Sequence, residues 1–583
     1  MSIIFPKFAD ILHYFIAKNI IAITVTQIVL TLILSISLYR KIFKVFSAIQ
    51  KRTWWSLAFI IFLAALISIF FMAPFCFGPF LEDTACLAKE IAGGNSSGYA
   101  SYRYGIVYPY MLSLLFKFFG VNLSLITILN SILFLVNVVL IFLFSYLYLE
   151  DEFASILSSI IYAVNPLVLK YVLCLRNEST ATSTFLLFFL ISIFLLKRVK
   201  NPEMILLSLL LLSLLVNLRA QMIVFIVPFV CFAYKRIYPL RRLKDLHLIV
   251  FVIITLLLLL TFLEKSSFIA SKSYSLDFDR PTGENINIVL LQTGLFSKLY
   301  PELSLYFVKN NFKSLLENFP LFWLFLFQFF LLMNSKRRKE LWYLLILQIL
   351  LTFGYLLHGA YYSRDDYQDL NVLVLLILFI PWVGYGLNLL INKMYKKPAY
   401  FVKILCIFIV AGIFFSLYTY PILKEFRLSR KMDKDDISFI ERIRSYLPKS
   451  KQTYCIITLD WLKIQRWKLL SKDDTHFLYL VNLCSDLKAF ELYFKGLPED
   501  KSRYYDNGFF DITKTNLWRS DKRPIFLLLF SQGGIYKKGG GFSVAQKEFM
   551  VKSTLFQNNA HFLFDFEGYY VYRLNPSLKD NGL

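Results

Sequence analysis

Charge is scarce in this chain, so the few ionisable groups beside apolar runs are where chemistry is to be sought first. Glu82-Asp83 follows Pro79 at the end of one apolar run. Arg176 and Glu178 stand in the tight turn Leu175-Arg176-Asn177-Glu178, and Arg219 sits alone between two apolar runs. His358, Arg364, Asp365, Asp366 and Asp369 fill a further polar stretch over 358–369. A planar guanidinium bonds two oxygens of a phosphate or pyrophosphate at once. A carboxylate beside it can take the proton of an incoming hydroxyl. The pair of types suits transfer of a group off a lipid phosphate, with a base on the acceptor side and cations on the leaving group. Ionisable residues inside or beside a bilayer are costly and mark function by default.

These residues are spread over about 280 positions, so a scaffold must gather them. The chain has 583 residues, 57% hydrophobic and 17% charged, with 60 Phe and 36 Tyr. Soluble chains carry about 25% charged residues. That excludes a soluble enzyme, a disordered chain and a disulfide-stapled secreted module, and leaves a polytopic membrane protein. The charge is skewed: roughly 28% of the last 163 residues are charged against roughly 13% of the first 420, so the tail has soluble composition. The net charge of +24 does not imply nucleic acid, because the body's basic residues cluster at the ends of apolar runs, where topology needs them. The seven cysteines show no CxxC or Cys/His cluster.

A bilayer core needs about 20 apolar helical residues. Runs of that kind lie near 19–38, 55–73, 123–148, 154–173, 180–196, 204–218, 221–234, 248–263, 319–333, 341–357, 370–391 and 401–420, predicting about twelve membrane helices. The shorter run 106–119 opens at Tyr108-Pro109 and ends at Gly120, and predicts a helix lying at the interface. The first run is long, lacks a small-residue cleavage site and meets Arg40-Lys41, so it reads as a span and not a signal peptide. Alternate threading puts loops 39–54, 149–153, 197–203, 235–247, 334–340 and 392–400 on one side. They hold roughly 20 Lys/Arg against roughly 11 on the other side, which makes them cytoplasmic. Loops 74–105, 264–318 and 358–369, the turns near 176 and 219, and everything after 420 then face outward. The tail predicts a small α/β domain, with strands over Cys455–Leu459 and Pro524–Phe530 and a hairpin of Phe562–Phe566 and Tyr569–Leu574.

Plainer roles stand beside the chemical ones. Asp83 is well placed to cap a helix over 84–92, and Arg176 and Arg219 could snorkel to headgroups. Asp277-Phe278-Asp279 is a two-residue match to a metal-holding Asp-x-Asp in a long polar loop, and carries no weight. His358 reads as an interfacial hydrogen-bonding residue rather than a metal ligand. No cofactor is called for; a divalent metal stays open, with no motif that indicates one.

The stretch Leu81-Glu82-Asp83-Thr84-Ala85-Cys86-Leu87-Ala88-Lys89-Glu90-Ile91-Ala92-Gly93-Gly94 resembles the first external loop of the GT-C superfamily, the integral-membrane glycosyltransferases of the protein O-mannosyltransferase and lipid A aminoarabinose transferase type. Tyr108-Pro109 through Phe119-Gly120 is similar to the family's interfacial helix. Leu175-Arg176-Asn177-Glu178 is similar to its Leu-Arg-Pro-Glu turn, Asn217-Leu218-Arg219 to its Thr-Arg-Pro turn, and Arg364 through Leu370 to its Arg-Tyr-Leu-x-Pro start of a late span. In order, the matches cover residues 55–420. The resemblance implies a GT-C-like α-helical core over 55–420 followed by an extracytoplasmic domain over 421–583; the additional helix and loop in 1–54, ahead of the core, depart from the family. It also implies an inverting transferase of the inner or plasma membrane. A polyprenyl-phosphate-linked sugar would be the donor and an envelope lipid, glycan or protein the acceptor, with membrane lipids around it and no nucleic acid partner. Asp83 would be the base, with Glu82 or Glu178 as second acid, and Arg176, Arg219 and Arg364 would hold donor phosphate. Arg103, Tyr108, His358 and Tyr361 would bind substrate.

The sequence departs from the family at the acidic pair, which is Glu-Asp where the family has Asp-Glu, so either carboxylate could be the base. Asn177 and Ala220 replace the two turn prolines, and Arg364 is followed by Asp365-Asp366. Two rivals share the polytopic frame: a flippase or transporter for a lipid-linked sugar, and an envelope glycan ligase or polymerase. A flippase predicts internal repeats and charges near mid-bilayer; the sequence shows no convincing repeat and keeps its charges in the turns.

Overall fold

The computed structural model describes residues 4–71, 81–94, 105–121, 123–170, 177–199, 201–227, 229–230, 249–261, 365–395, 411–413 and 415–421, with further scattered positions between 402 and 445 and five strands in the tail. The chain divides into two compact units, the second beginning in the main at Lys431.

The first unit is helical. Its elements are α1 (Ile4–Phe46), α2 (Lys51–Phe71), α3 (Leu81–Ala92), α4 (Val107–Phe119), α5 (Leu123–Leu149), α6 (Glu152–Val164), α7 (Pro166–Lys170), α8 (Asn177–Arg198) and α9 (Pro202–Leu218). They are followed by α10 (Ile249–Thr261) and α11 (Asp365–Tyr395). Among the described residues, four helices are long and apolar enough to cross a membrane: Asn19–Phe46, Lys51–Phe70, Leu125–Leu149 and Leu376–Lys393. The apolar helices α4, α6, α9, α10 and the stretch Thr180–Leu196 of α8 are shorter. The expected spans 319–333 and 341–357 lie outside the described residues, as does loop 264–318. α5 packs against both α6 and α8, α11 against α6, α9 against α8 and α1, and α3 against α4. One continuous apolar core runs through this unit.

Several element boundaries differ from the sequence expectations. Helix α1 has 43 residues where a span over 19–38 was expected. No glycine or proline interrupts Tyr39–Phe46, so Arg40-Lys41 lies within a continuing helix. The expected span 154–173 is two helices. Pro166 disfavours helical backbone at Asn165, and Asn165 sits at φ −68°, ψ 126°. The Asn165 Oδ1 then accepts from the N–H groups of Leu167 and Val168 at 2.9 and 3.2 Å, capping α7. Asp365, Asp366 and Asp369 belong to the opening turns of α11 and not to a loop, a position where carboxylates oppose the helix dipole favourably. After Arg219 the chain makes a 3-10 turn, Ala220–Phe225, where the run 221–234 predicted a plain helix.

The helix ends gather at two opposite ends of the bundle. At one end, Arg198 pairs with Glu150 at 2.7 Å. Asp151 caps α6 through the Ala154 N–H and accepts from Asn388 Nδ2 at 2.7 Å. Glu152 accepts from Thr53 Oγ1 and from the Gln50 N–H, and Ser37 donates to Glu203 at 2.9 Å. All these residues lie in or beside the Lys/Arg-rich loop set. Gly384 lets α11 lie directly on α6, because a Cβ there would stand 2.4 Å from Ser158 Oγ and 2.6 Å from the Ala154 carbonyl oxygen. Small residues at such crossings are how membrane helices approach closely.

The second unit holds a five-stranded sheet of β1 (Cys455–Thr458), β2 (His476–Tyr479), β3 (Ile525–Phe530), β4 (Ala560–Phe566) and β5 (Tyr569–Leu574), in the order β2-β1-β3-β5-β4. β1 is parallel to β2 and β3, and β5 is antiparallel to β3 and β4. The unbroken apolar run Ile525–Phe530 suits a central strand. Phe564 and Val571 are buried, and the Arg442 guanidinium lies 4.4 Å over the Phe564 ring. Burial holds the Tyr572 phenol above its ordinary pKa, with Tyr570 adding to the effect.

Candidate active site

Of the residues singled out for chemistry, the far end of the bundle carries the described ones: Glu82, Asp83, Tyr108, Glu178 and Arg219. Glu82 and Asp83 occupy the first turn of α3, which starts at Leu81. Asp83 therefore lies inside the helix and is not its N-cap, as one reading of the sequence expected. The body of α3 is anchored by apolar contact: Leu87 clusters with Ile20 of α1 and with Ile106, and Ile91 and Leu260 pack against them. Ile106 immediately precedes α4, in which Pro109 is accommodated within the first turn, where no intrahelical donor is required. Tyr108 is fully buried, and its hydroxyl donates to Asn130 Oδ1 on α5 at 2.9 Å.

Arg219 ends α9. Its backbone is extended, at φ −153° and ψ 118°, and its N–H donates to the Leu215 carbonyl. Its Nε is shielded from solvent. The turn that carries it is pinned twice. The Gly105 N–H donates to the Leu218 carbonyl at 3.2 Å, and the two backbones are so close that a Cβ on Gly105 would stand 1.6 Å from the Asn217 carbonyl oxygen. The second pin comes from α1: Asn217 Nδ2 donates to Thr24 Oγ1 at 2.9 Å and to Gln27 Oε1 at 3.0 Å, while Gln27 Nε2 donates to Ser213 Oγ at 2.6 Å. Thr24, Gln27, Ser213 and Asn217 are all completely buried.

The acidic helix and the Arg219 turn are thus moored on consecutive residues: α3 packs on Ile106, and the Arg219 turn bonds Gly105. Glu178 lies in the first turn of α8, a helix where the sequence suggested a tight turn. Two residues on, the Thr180 carbonyl accepts from Asn137 Nδ2 at 3.3 Å, and α8 also meets α4. Arg103, Arg176, His358, Tyr361 and Arg364 lie outside the described residues. Among the described residues no group of three His, Cys, Asp or Glu could hold a metal ion.

Gln27, Thr24 and Ser213 were missed by the sequence reading, and Asn217 was quoted only as part of a motif. The signal was a glutamine inside an apolar run, facing an Asn and a Ser spaced one helical turn apart on another span.

No protein-family model matches the chain, and no curated protein sequence matches it. Among solved structures, ArnT from Cupriavidus metallidurans in the apo state superposes with a TM-score of 0.53 at 10% identity, over 91% of this chain and 100% of that one. The chain shares that fold. That fold is mostly helical in its first unit.

Proposed function

We propose that this chain is a membrane glycosyltransferase that moves a sugar from a polyprenyl-phosphate-linked donor to an envelope lipid, glycan or protein acceptor. The observation that carries the reading is the mooring of the Glu82-Asp83 helix and the Arg219 turn on Gly105 and Ile106, within a fold shared with a GT-C transferase. Base and phosphate-binding groups must converge for this chemistry, and these two elements converge on one short segment. The Lys/Arg-rich loops support a cytoplasmic location for the opposite end. The site and the C-terminal unit then face outward from a cell membrane, where a lipid-linked donor replaces nucleotide sugars. The division into an additional helix and loop (1–54), a catalytic core (55–420) and an extracytoplasmic domain (421–583) belongs to the same proposal.

The step balances simply. Asp83, or Glu82 in its place, takes the proton of the acceptor hydroxyl as its oxygen attacks the anomeric carbon. The bond from that carbon to the phosphate oxygen breaks, the configuration inverts, and polyprenyl phosphate leaves toward Arg219, with Arg176 and Arg364 assigned to the same anion. Glu178 would be the second acid, and Arg103, Tyr108, His358 and Tyr361 would hold substrate. General-base catalysis contributes about 10²–10⁴-fold, so positioning and charge stabilisation of the leaving phosphate must supply the larger share.

Donor turnover in membranes tests the reading, with Asp83→Asn and Glu82→Gln assayed separately. One of the two is expected to lose activity by about 10²-fold or more. Full activity in both would remove the site.

A further inference from the structure

The helix that the GT-C resemblance left unexplained is α1, an additional element ahead of the core. Much of its surface is what a membrane-facing helix should be, with Leu32, Ile33 and Ile36 exposed. Its other face is not ordinary packing. Thr24 and Gln27 are fully buried and bond across to α9, where Asn217 donates to both and Ser213 receives the Gln27 amide. A glutamine in an apolar helix is costly unless each polar atom finds a partner. Gln27 uses its oxygen and its nitrogen on the last two turns of α9. Asn217 lies two residues before Arg219, in the stretch whose backbone Gly105 touches.

We propose that α1 is a positioning brace for Arg219: the Thr24 and Gln27 bonds to Asn217 hold the end of α9 so that the Arg219 guanidinium meets the donor phosphate. The additional helix then belongs to the phosphate-binding machinery and is more than an anchor. This rests on the phosphate role given to Arg219 above. Thr24, Gln27 and Asn217 are positioning residues; none of them touches the phosphate. Two pins, Gly105 and α1, leave the turn little freedom to swing. A phosphate ligand displaced by about 1 Å loses much of its contribution.

The experiment measures binding of a short-chain polyprenyl phosphate to the purified full-length protein in detergent, with the matching uncharged polyprenol as control. Arg219→Ala is expected to weaken phosphate binding and leave polyprenol binding unchanged. Gln27→Leu keeps the helix apolar and compatible with insertion, and leaves Ser213 able to bond its own helix backbone. It removes the Gln27 bonds to both Asn217 and Ser213 and is expected to weaken phosphate binding about tenfold. The double variant Gln27→Leu/Arg219→Ala is expected to bind no worse than Arg219→Ala alone, because Gln27 acts through the arginine. Thr24→Val should weaken binding, and Thr24→Ser, which keeps the hydroxyl, should restore it. If Arg219→Ala binds normally, the phosphate role of Arg219 falls and this inference with it. If Arg219→Ala is impaired while Gln27→Leu and Thr24→Val bind like the parent, the phosphate role stands and the brace is overturned. Losses that multiply in the double variant overturn it as well.

Discussion

Gly105 has no side chain at a point where any side chain would strike the backbone of the Arg219 turn. Its N–H holds the Leu218 carbonyl while its missing Cβ leaves space for the Asn217 carbonyl oxygen. Substitution is therefore a displacement of two elements at once, α4 and the end of α9. Gly105→Ala is expected to lower kcat/KM for the donor by about 10²-fold through misplacement of the turn and to lower stability by about 1–3 kcal/mol through overpacking. Donor turnover and thermal unfolding in detergent measure the two effects separately. The residue scale also shows where sequence reading stops. Arg219 stood out because a lone cation between apolar runs is rare. Gln27 did not, because a single amide in an apolar run is common, and its partner Asn217 lies 190 positions away.

Helices and strands were more legible than their ends. Apolar length located α2, α5, α8 and α9 because hydropathy reports what a membrane or core will bury. Ends were misread where charge and hydropathy do not coincide with backbone geometry. Arg40-Lys41 marks a change of solvent within α1, and the backbone has no reason to change there. Hydropathy runs straight through Asn165-Pro166, yet the proline breaks the helix. In the tail, the alternation around Glu567-Gly568 located the β4–β5 hairpin, whereas β2 is only four residues long and gave no such pattern. Gly384→Val places a branched side chain against Ser158 and the Ala154 carbonyl. It should separate α11 from α6 and destabilise the bundle by about 1–3 kcal/mol, read as a lower unfolding temperature.

For the molecule as a whole, sharing a fold at 10% identity means that side-chain identity is almost entirely replaced while the order of helices persists. Apolar helices need only remain apolar and small where they cross, so sequence drifts freely between the few positions that contact backbone. Sidedness belongs to this scale. The Lys/Arg-rich end should face the cytoplasm, which puts the exposed turn at Ser47 inside and the exposed end of α3 at Gly93 outside. In a chain whose seven cysteines are replaced, a membrane-impermeant thiol reagent added to intact cells should label Gly93→Cys at once and Ser47→Cys only after lysis. The reverse pattern would turn the protein over and put the acidic helix on the wrong side for the proposed donor.

The bonds between α1 and α9 also impose an order on synthesis. Thr24 and Gln27 leave the ribosome roughly 190 residues before Asn217 does. At about 5–20 residues per second that is an interval of roughly 10–40 s. For that time the first helix must occupy the insertion machinery or the bilayer with its Gln27 amide satisfied by water, lipid or a chaperone, while the Thr24 hydroxyl can bond its own helix backbone. Only when the ninth helix arrives can the pair close, so a chain stalled before residue 217 holds an anchor with nothing yet to brace.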